Sequence, residues 1–177
     1  MARNNETPIR VGLLGAGTVG SQTARLIVEQ KDELSARIGR PVELTGVACL
    51  DPKETEKFPW IDQSIVTTDT LSVATNSDIV IELIGGDHPA TEIFESAIAA
   101  GKHVVSANKA LLGRRIDYLG SLAAQAGVQI RCEAAAGGGI PIVNALEHAL
   151  VANGMLTIAG GIVITFTKEI LTLITGG

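Results

Sequence analysis

Three glycines, in the run Gly15-Ala16-Gly17-Thr18-Val19-Gly20, carry the sharpest chemical signal in this 177-residue chain. They follow an apolar run, Ile9-Arg10-Val11-Gly12-Leu13-Leu14, and precede a helical stretch over residues 21–30. Strand, glycine turn and helix N-terminus, in that order, is the setting in which G-x-G-x-x-G holds a dinucleotide. Gly15 allows the tight turn. Gly17 lets the backbone approach a pyrophosphate with no Cβ in the way, and Gly20 lets the helix pack closely on the strand. The free N–H groups of the first turn and the helix dipole attract the phosphates. The expected cofactor is NAD or NADP. The same residues also fit an ordinary glycine-rich turn between strand and helix.

A second group of candidates lies where strands end. In a doubly wound sheet, ligands collect outside the carboxyl ends of the strands. Asp51, Gly85-Gly86, Ala107-Asn108-Lys109 and the run from Glu133 to Gly139 all fall at such ends. A carboxylate at Asp51 accepts from both ribose hydroxyls of NAD and repels the 2′-phosphate of NADP. Lys53 and Lys57 nearby soften that repulsion. Asp51 before Pro52 is equally a turn former. Its distance from the glycines exceeds the usual ~20 residues, and an extended first helix with its loop through Pro41 accounts for the excess.

The elements that must position these residues alternate between strand and helix. Gly39 and Pro41 end the first helical region. Residues 42–49 read as a second strand with its exit turn at Asp51-Pro52. Asp69 caps a short helix to about Asn76. Residues 78–84 read as a buried strand ending at Gly85-Gly86, and 89–100 as a helix with Pro89 in its first turn and Gly101 after its end. Residues 103–105 are a short strand, 113–126 a helix closed by Gly127, and 128–131 the next strand. Repeated βα units of this kind imply an α/β, Rossmann-type, mainly parallel sheet. The expected organisation is a dinucleotide-binding domain over residues 1–150 and a shorter unit over 151–177.

Composition narrows the function. Apolar residues make up 46% of the chain, enough for a sizeable core. The net charge of -5, without a basic stripe or aromatic platform, argues against a nucleic-acid partner. Residues 1–8 are polar and carry no signal-peptide core. The apolar run at 155–166 is too short for a membrane span and is interrupted by Gly160 and Gly161. Cys49 and Cys132 read as free thiols, which suits a cytoplasmic protein. His88, His103 and His148 lack the spacing of metal ligands.

Three separated motifs then resemble homoserine dehydrogenase. They are Ile81-Glu82-Leu83-Ile84-Gly85-Gly86, the run from Ala99-Ala100-Gly101-Lys102 through Ser106-Ala107-Asn108-Lys109-Ala110-Leu111-Leu112, and Cys132-Glu133-Ala134-Ala135-Ala136-Gly137-Gly138-Gly139-Ile140-Pro141-Ile142. The likeness runs from about residue 9 to about residue 160. It implies an enzyme of amino-acid biosynthesis, in the threonine, methionine and isoleucine pathway. Such enzymes interconvert L-homoserine and L-aspartate 4-semialdehyde with NADH or NADPH. It implies that Gly15, Gly17, Thr18, Val19 and Gly20 form the pyrophosphate loop and that Ile84 and Gly85 lie beside the nicotinamide ribose. It places Lys109 near the nicotinamide and the reacting oxygen. It implies a monovalent-cation loop, usually assigned to sodium, from Glu133, Ala136, Gly138 and Ile140. A carboxylate and backbone carbonyls there offer the oxygens a hard cation requires. The helix over 141–151 would join two domains.

The chemistry of the residues agrees with that resemblance in part. Reducing an aldehyde needs a hydride donor and a proton source for the developing alkoxide. A lysine ammonium at a strand end stabilises that charge and supplies the proton. Read alone, Lys109 is better taken as a solvated lysine at a helix start and Glu133 as a surface carboxylate; the matched run Ala107-Asn108-Lys109-Ala110 turns the reading of Lys109 towards the site.

From Gly161 the chain departs from the family pattern. Ile162-Val163 and Ile170-Leu171-Thr172 match, but the family's Asn-Gly-Thr centre is replaced by Ile164-Thr165-Phe166-Thr167, which alternates like a strand. The family's substrate domain does not follow within the 177 residues. Three readings are therefore carried. The first is the cofactor-binding part of a homoserine dehydrogenase, inactive alone, whose intact form takes an amino-acid substrate and forms a homo-oligomer. The second is a non-catalytic, redesigned dinucleotide-binding module. The third, disfavoured by the Ser106 to Leu112 match, is a relative of dihydrodipicolinate or aspartate dehydrogenases.

Overall fold

The computed structural model describes residues 7–136. The cation-loop residues Gly138 and Ile140, the helix expected at 141–151 and the alternating segment around Phe166 lie outside the described residues.

Six strands form one parallel sheet in the order β3-β2-β1-β4-β5-β6. They are β1 (Ile9–Leu14), β2 (Val42–Ala48), β3 (Val66–Thr67), β4 (Ile79–Glu82), β5 (His103–Ser106) and β6 (Ile130–Arg131). The helices are α1 (Thr18–Glu29), α2 (Lys31–Ile38), α3 (Thr70–Asn76), α4 (Ala90–Ala99), α5 (Lys109–Ala126) and the single turn α6 (Glu133–Ala136). The strand order reverses between β1 and β4, so the described residues form a Rossmann-type α/β fold with its switch point there.

The strands bury both faces, as parallel strands between helices must. Successive side chains point to opposite sides. Val11, Leu13, Ile79, Ile81 and Val105 join Ala24 and Ile27 of α1 and Leu34 of α2 in one core. Leu14, Val80 and Val104 join Val73 of α3, Phe94 and Ile98 of α4, and Leu111 and Leu119 of α5 in the other. Each such valine, leucine, isoleucine or phenylalanine contributes about 1.5–3 kcal/mol by leaving water. Gly12 and Gly46 leave a trough for Val73. A Cβ at Gly46 would stand 3.1 Å from both Val73 methyls, and one at Gly12 would collide with the Ser77 hydroxyl.

Several boundaries differ from the sequence reading, each for a local reason. The first helix begins at Thr18 rather than residue 21, because Gly17 itself is its N-cap. It ends at Glu29, because the backbone of Gln30 (φ -101°, ψ 14°) leaves the helical range before α2 begins. β4 stops at Glu82 rather than 84, because the next peptides turn through Gly85 and Gly86, both at φ +78°. α5 starts at Lys109, four residues before the expected Gly113, because Asn108 caps it: its side chain accepts from the Leu111 N–H at 3.1 Å. The cap at Asp69 is as read, accepting from Ser72 N–H at 2.9 Å. β6 covers only the last two of the four residues 128–131, and β3, a two-residue strand, has no counterpart in the sequence reading.

Candidate functional site

β1 delivers the chain to the glycine turn. The Gly15 N–H donates to the Ala48 carbonyl at 2.8 Å and the Leu83 N–H donates to the Leu14 carbonyl at 2.8 Å, so the turn is seated between β2 and β4. Gly15 sits at φ +99°, and a Cβ there would stand 2.8 Å from the Leu83 carbonyl oxygen. Only glycine meets both demands. A Cβ at Gly20 would collide with the Gly15 carbonyl oxygen. Close packing of helix on turn is thus a structural fact at Gly15 and Gly20.

Gly17 is different. A Cβ there would meet nothing within 4 Å, and the residue is exposed, as is Thr18. No side chain caps α1, and no acidic residue occupies its first turn. The first-turn N–H groups at Thr18, Val19 and Gly20 precede the first intrahelical bond, Ser21 N–H to the Gly17 carbonyl at 2.9 Å. They are donors at the positive end of the helix dipole, suited to an anion.

Asp51 lies three residues beyond the end of β2, exposed to solvent. One carboxylate oxygen accepts from the Lys53 N–H at 3.0 Å and caps a 3-10 turn over Pro52–Thr55. The turn-forming role is therefore realised, and the second oxygen takes no part in that cap. Leu50 beside it is fully exposed. Lys57 lies over the Phe58 ring, 5.2 Å from its centroid. Partial burial, with Asp51 and Glu54 nearby, pushes the Cys49 thiol up. The segment after β2 folds back onto α1 through Trp60, whose indole N–H donates to the Ser21 carbonyl at 2.8 Å.

The ends of β4 and β5 carry a buried polar network that the sequence reading did not assign. Glu82 is fully buried. Its Oε1 accepts from the N–H groups of Ile84 at 2.8 Å and Gly85 at 3.1 Å, and its Oε2 accepts from the Ser106 hydroxyl at 2.7 Å. Ser106 Oγ in turn accepts from the Asn108 N–H at 2.9 Å, and the Asn108 amide donates to the Gly86 carbonyl at 2.6 Å. Farther out, Asp87 accepts from the Arg115 guanidinium at 3.0 Å and from the Thr91 hydroxyl at 3.0 Å; these bonds hold its carboxyl below the usual carboxylate range. The available signal was a glutamate inside an apolar strand, since glutamate is almost never fully buried without partners.

Lys109 is the first residue of α5 and is exposed at the carboxyl side of β5. Glu133 and Ala136 fall in the one turn of α6, after β6. The geometry thus brings the glycine turn against the β4 loop and ties that loop to the start of α5. Asp51 stands apart, at the end of β2. A groove of about 420 Å³ lies elsewhere, open to solvent, with Arg10, Thr45, Thr67, Ser72 and Ser77 in its walls and none of the strand-end candidates.

A six-stranded 3-2-1-4-5-6 sheet with an uncapped glycine turn at its switch point defines a Rossmann-type dinucleotide-binding domain by architecture. The sequence matches the family described as "Homoserine dehydrogenase, NAD binding domain" over residues 15–133, and the chain belongs to that family. It is 38% identical to the homoserine dehydrogenase of Pseudomonas aeruginosa over 157 residues, covering 86% of this chain and 35% of the relative. It is 38% identical to that of Bacillus subtilis over 168 residues, covering 93% of this chain and 38% of the relative. The chain therefore spans little more than a third of the length of these relatives. Among solved structures, the homoserine dehydrogenase of Thiobacillus denitrificans superposes with a TM-score of 0.74 at 40% identity, over 82% of this chain and 34% of that one. A hyperthermophilic archaeal homoserine dehydrogenase in complex with NADPH shares the fold, with a TM-score of 0.65 at 22% identity, over 82% of this chain and 50% of that one.

Proposed function

We propose that this chain is the dinucleotide-binding part of a homoserine dehydrogenase, serving the interconversion of L-homoserine and L-aspartate 4-semialdehyde. The observation that carries the reading is the glycine turn. Gly15 and Gly20 are glycines because the protein fills the space around them, whereas Gly17 is a glycine beside open space and unspent N–H donors. A cradle that a side chain would fill, at a helix N-terminus, fits a pyrophosphate.

In this reading Gly15, Gly17, Thr18, Val19 and Gly20 hold the pyrophosphate. Ile84 and Gly85 line the nicotinamide ribose. Asp51 accepts from the adenosine ribose hydroxyls with the oxygen its cap leaves over, and its charge with apolar Leu50 beside it favours NAD over NADP. The bound nicotinamide supplies or accepts the hydride. Lys109, presented at the first position of α5, stabilises negative charge on the substrate oxygen and donates its proton. Glu133, Ala136, Gly138 and Ile140 offer oxygens to a sodium ion. The amino-acid substrate, a homo-oligomeric state and a cytoplasmic location belong to the intact enzyme of this proposal. Among the described residues no helix is long and apolar enough to cross a membrane.

The test is calorimetric titration of the purified chain with NAD, NADP and homoserine, followed by a turnover assay. The expected result is saturable dinucleotide binding without turnover, since these 177 residues span little more than a third of the length of the relatives they match. Homoserine oxidation by the 177 residues themselves would overturn the assignment of a cofactor-binding part. Absence of any dinucleotide binding would overturn the reading altogether.

A further inference from the structure

We infer that Glu82 is a positioning residue for the nicotinamide half of the dinucleotide: it locks the β4 loop and the start of α5 into one preorganised wall. The inference rests on the dinucleotide-binding reading above. A six-stranded sheet of this order is two mononucleotide-binding halves, one over β1 to β3 and one over β4 to β6. Glu82 belongs wholly to the second half.

Burying a carboxylate is costly unless it is paired or fully hydrogen-bonded. Glu82 is at 0% exposure, among Leu83, Ile84 and the strand core, and spends its oxygens on three short bonds. Two of them hold successive N–H groups of the loop, at Ile84 and Gly85. Without that anchor the loop is loosely specified, because Gly85 and Gly86 both adopt φ +78° and glycine populates many other conformations as readily. The third bond reaches β5. Ser106, held by Glu82, accepts from the Asn108 N–H, and Asn108 both caps α5 and grips the Gly86 carbonyl. Lys109 follows as the first helical residue. One carboxylate therefore fixes the Ile84-Gly85 wall and, through two further residues, the backbone from which Lys109 projects. Affinity gained by holding a loop in its bound shape is preorganisation, and it is lost when the loop is released even though no ligand contact is removed.

Glutamine at this position has nearly the same volume but only one acceptor oxygen. With that oxygen kept on the two loop N–H groups, it presents an NH2 donor to the Ser106 hydroxyl and cannot accept from it, which uncouples the loop from β5. The experiment compares two probes on the wild-type chain, Glu82→Gln and Ser106→Ala: NADH, followed by its fluorescence, and ADP, which carries the adenosine and pyrophosphate and lacks the nicotinamide riboside. Thermal unfolding is recorded for each variant. The expected result is NADH affinity weakened about tenfold in both variants, ~1.4 kcal/mol, with ADP affinity within about twofold of wild type. General loosening of the fold would weaken both probes alike. Equal losses for NADH and ADP, or unchanged NADH affinity, overturn the inference while leaving the dinucleotide reading standing. A wild-type chain that binds neither probe overturns that reading and the inference with it. Should Glu82→Gln fail to fold, Ser106→Ala decides by the same pair of titrations, since it removes the same bond from the other side.

Discussion

The two halves of the strand-end surface treat their hydrogen-bond donors in opposite ways. At the β1–α1 turn, the N–H groups of the first helical turn have no side-chain cap, and Gly17 faces open space. At the β4–β5 end, the N–H groups of Ile84, Gly85, Asn108 and Leu111 are all consumed by buried or partly buried side chains. Unspent donors are where a ligand's charge can be received. Satisfied donors make a rigid wall. The proposed site draws on both: one half would bind by what it leaves unpaired, the other would orient by what it has already paired.

Substituting the glycines separates the two demands within the first half. Gly17→Val should abolish measurable NADH binding, a loss of at least about a hundredfold, because the branched side chain takes the pyrophosphate's place. Its melting temperature should stay close to wild type, since an added Cβ meets no protein atom within 4 Å. Gly20→Ala should show the reverse order of effects. Its methyl collides with the Gly15 backbone, so chemical denaturation should report a loss of about 3 kcal/mol, and binding fails only as the turn distorts. If both variants lose stability alike, the contrast between packed and open glycines is broken.

A smaller effect sharpens the reading of Asp51. Asp51→Ala should weaken NAD by about 1–2 kcal/mol through lost ribose hydrogen bonds, and should weaken NADP less or strengthen it. Because Asp51 also caps the turn at Pro52–Thr55, parallel unfolding curves separate the two roles. Equal losses for both cofactors would leave Asp51 as a cap only.

The smallest effect lies away from the strand ends, at the opposite edge of β1 and β4. Asp78 accepts from the Arg10 guanidinium at 2.8 Å and from the Arg10 N–H at 2.9 Å, and these bonds hold its carboxyl below the ordinary range. The unfolded chain then binds the proton more readily than the folded one. The pair's contribution is complete above the unfolded carboxylate value, about 3.9, and is lost as pH falls through the folded value. Asp78→Asn should lower the melting temperature slightly at pH 7, and the difference from wild type should vanish in strong acid. A difference that persists there would mean that packing, not charge, is responsible.

Much of this arrangement was legible in the residues. The glycine turn, the cap at Asp69 and the alternation of strands with helices are local signals, decided by neighbours within a few positions. The start of α5 is also a local signal, since Asn108 is a strong N-cap, but Gly113, four residues into the helix, masks it. The Glu82 network was not legible in that way. Its bond to Ser106 spans 24 residues and exists only because two parallel strands end side by side. β3 has two residues, too few for any periodicity to show, and the break at Gln30 is flagged by neither glycine nor proline.

A dinucleotide lying across both halves would set its phosphates at the unpaired donors and its nicotinamide against the paired wall. Backbone amide chemical shifts of the 177-residue chain, recorded while NADH is titrated, test it most directly. The largest shifts are expected at Thr18, Val19 and Gly20, followed by Ile84 and Gly85, with none in the groove walled by Thr45, Thr67 and Ser77. Shifts centred on that groove, or confined to surface residues away from the glycine turn, would contradict it.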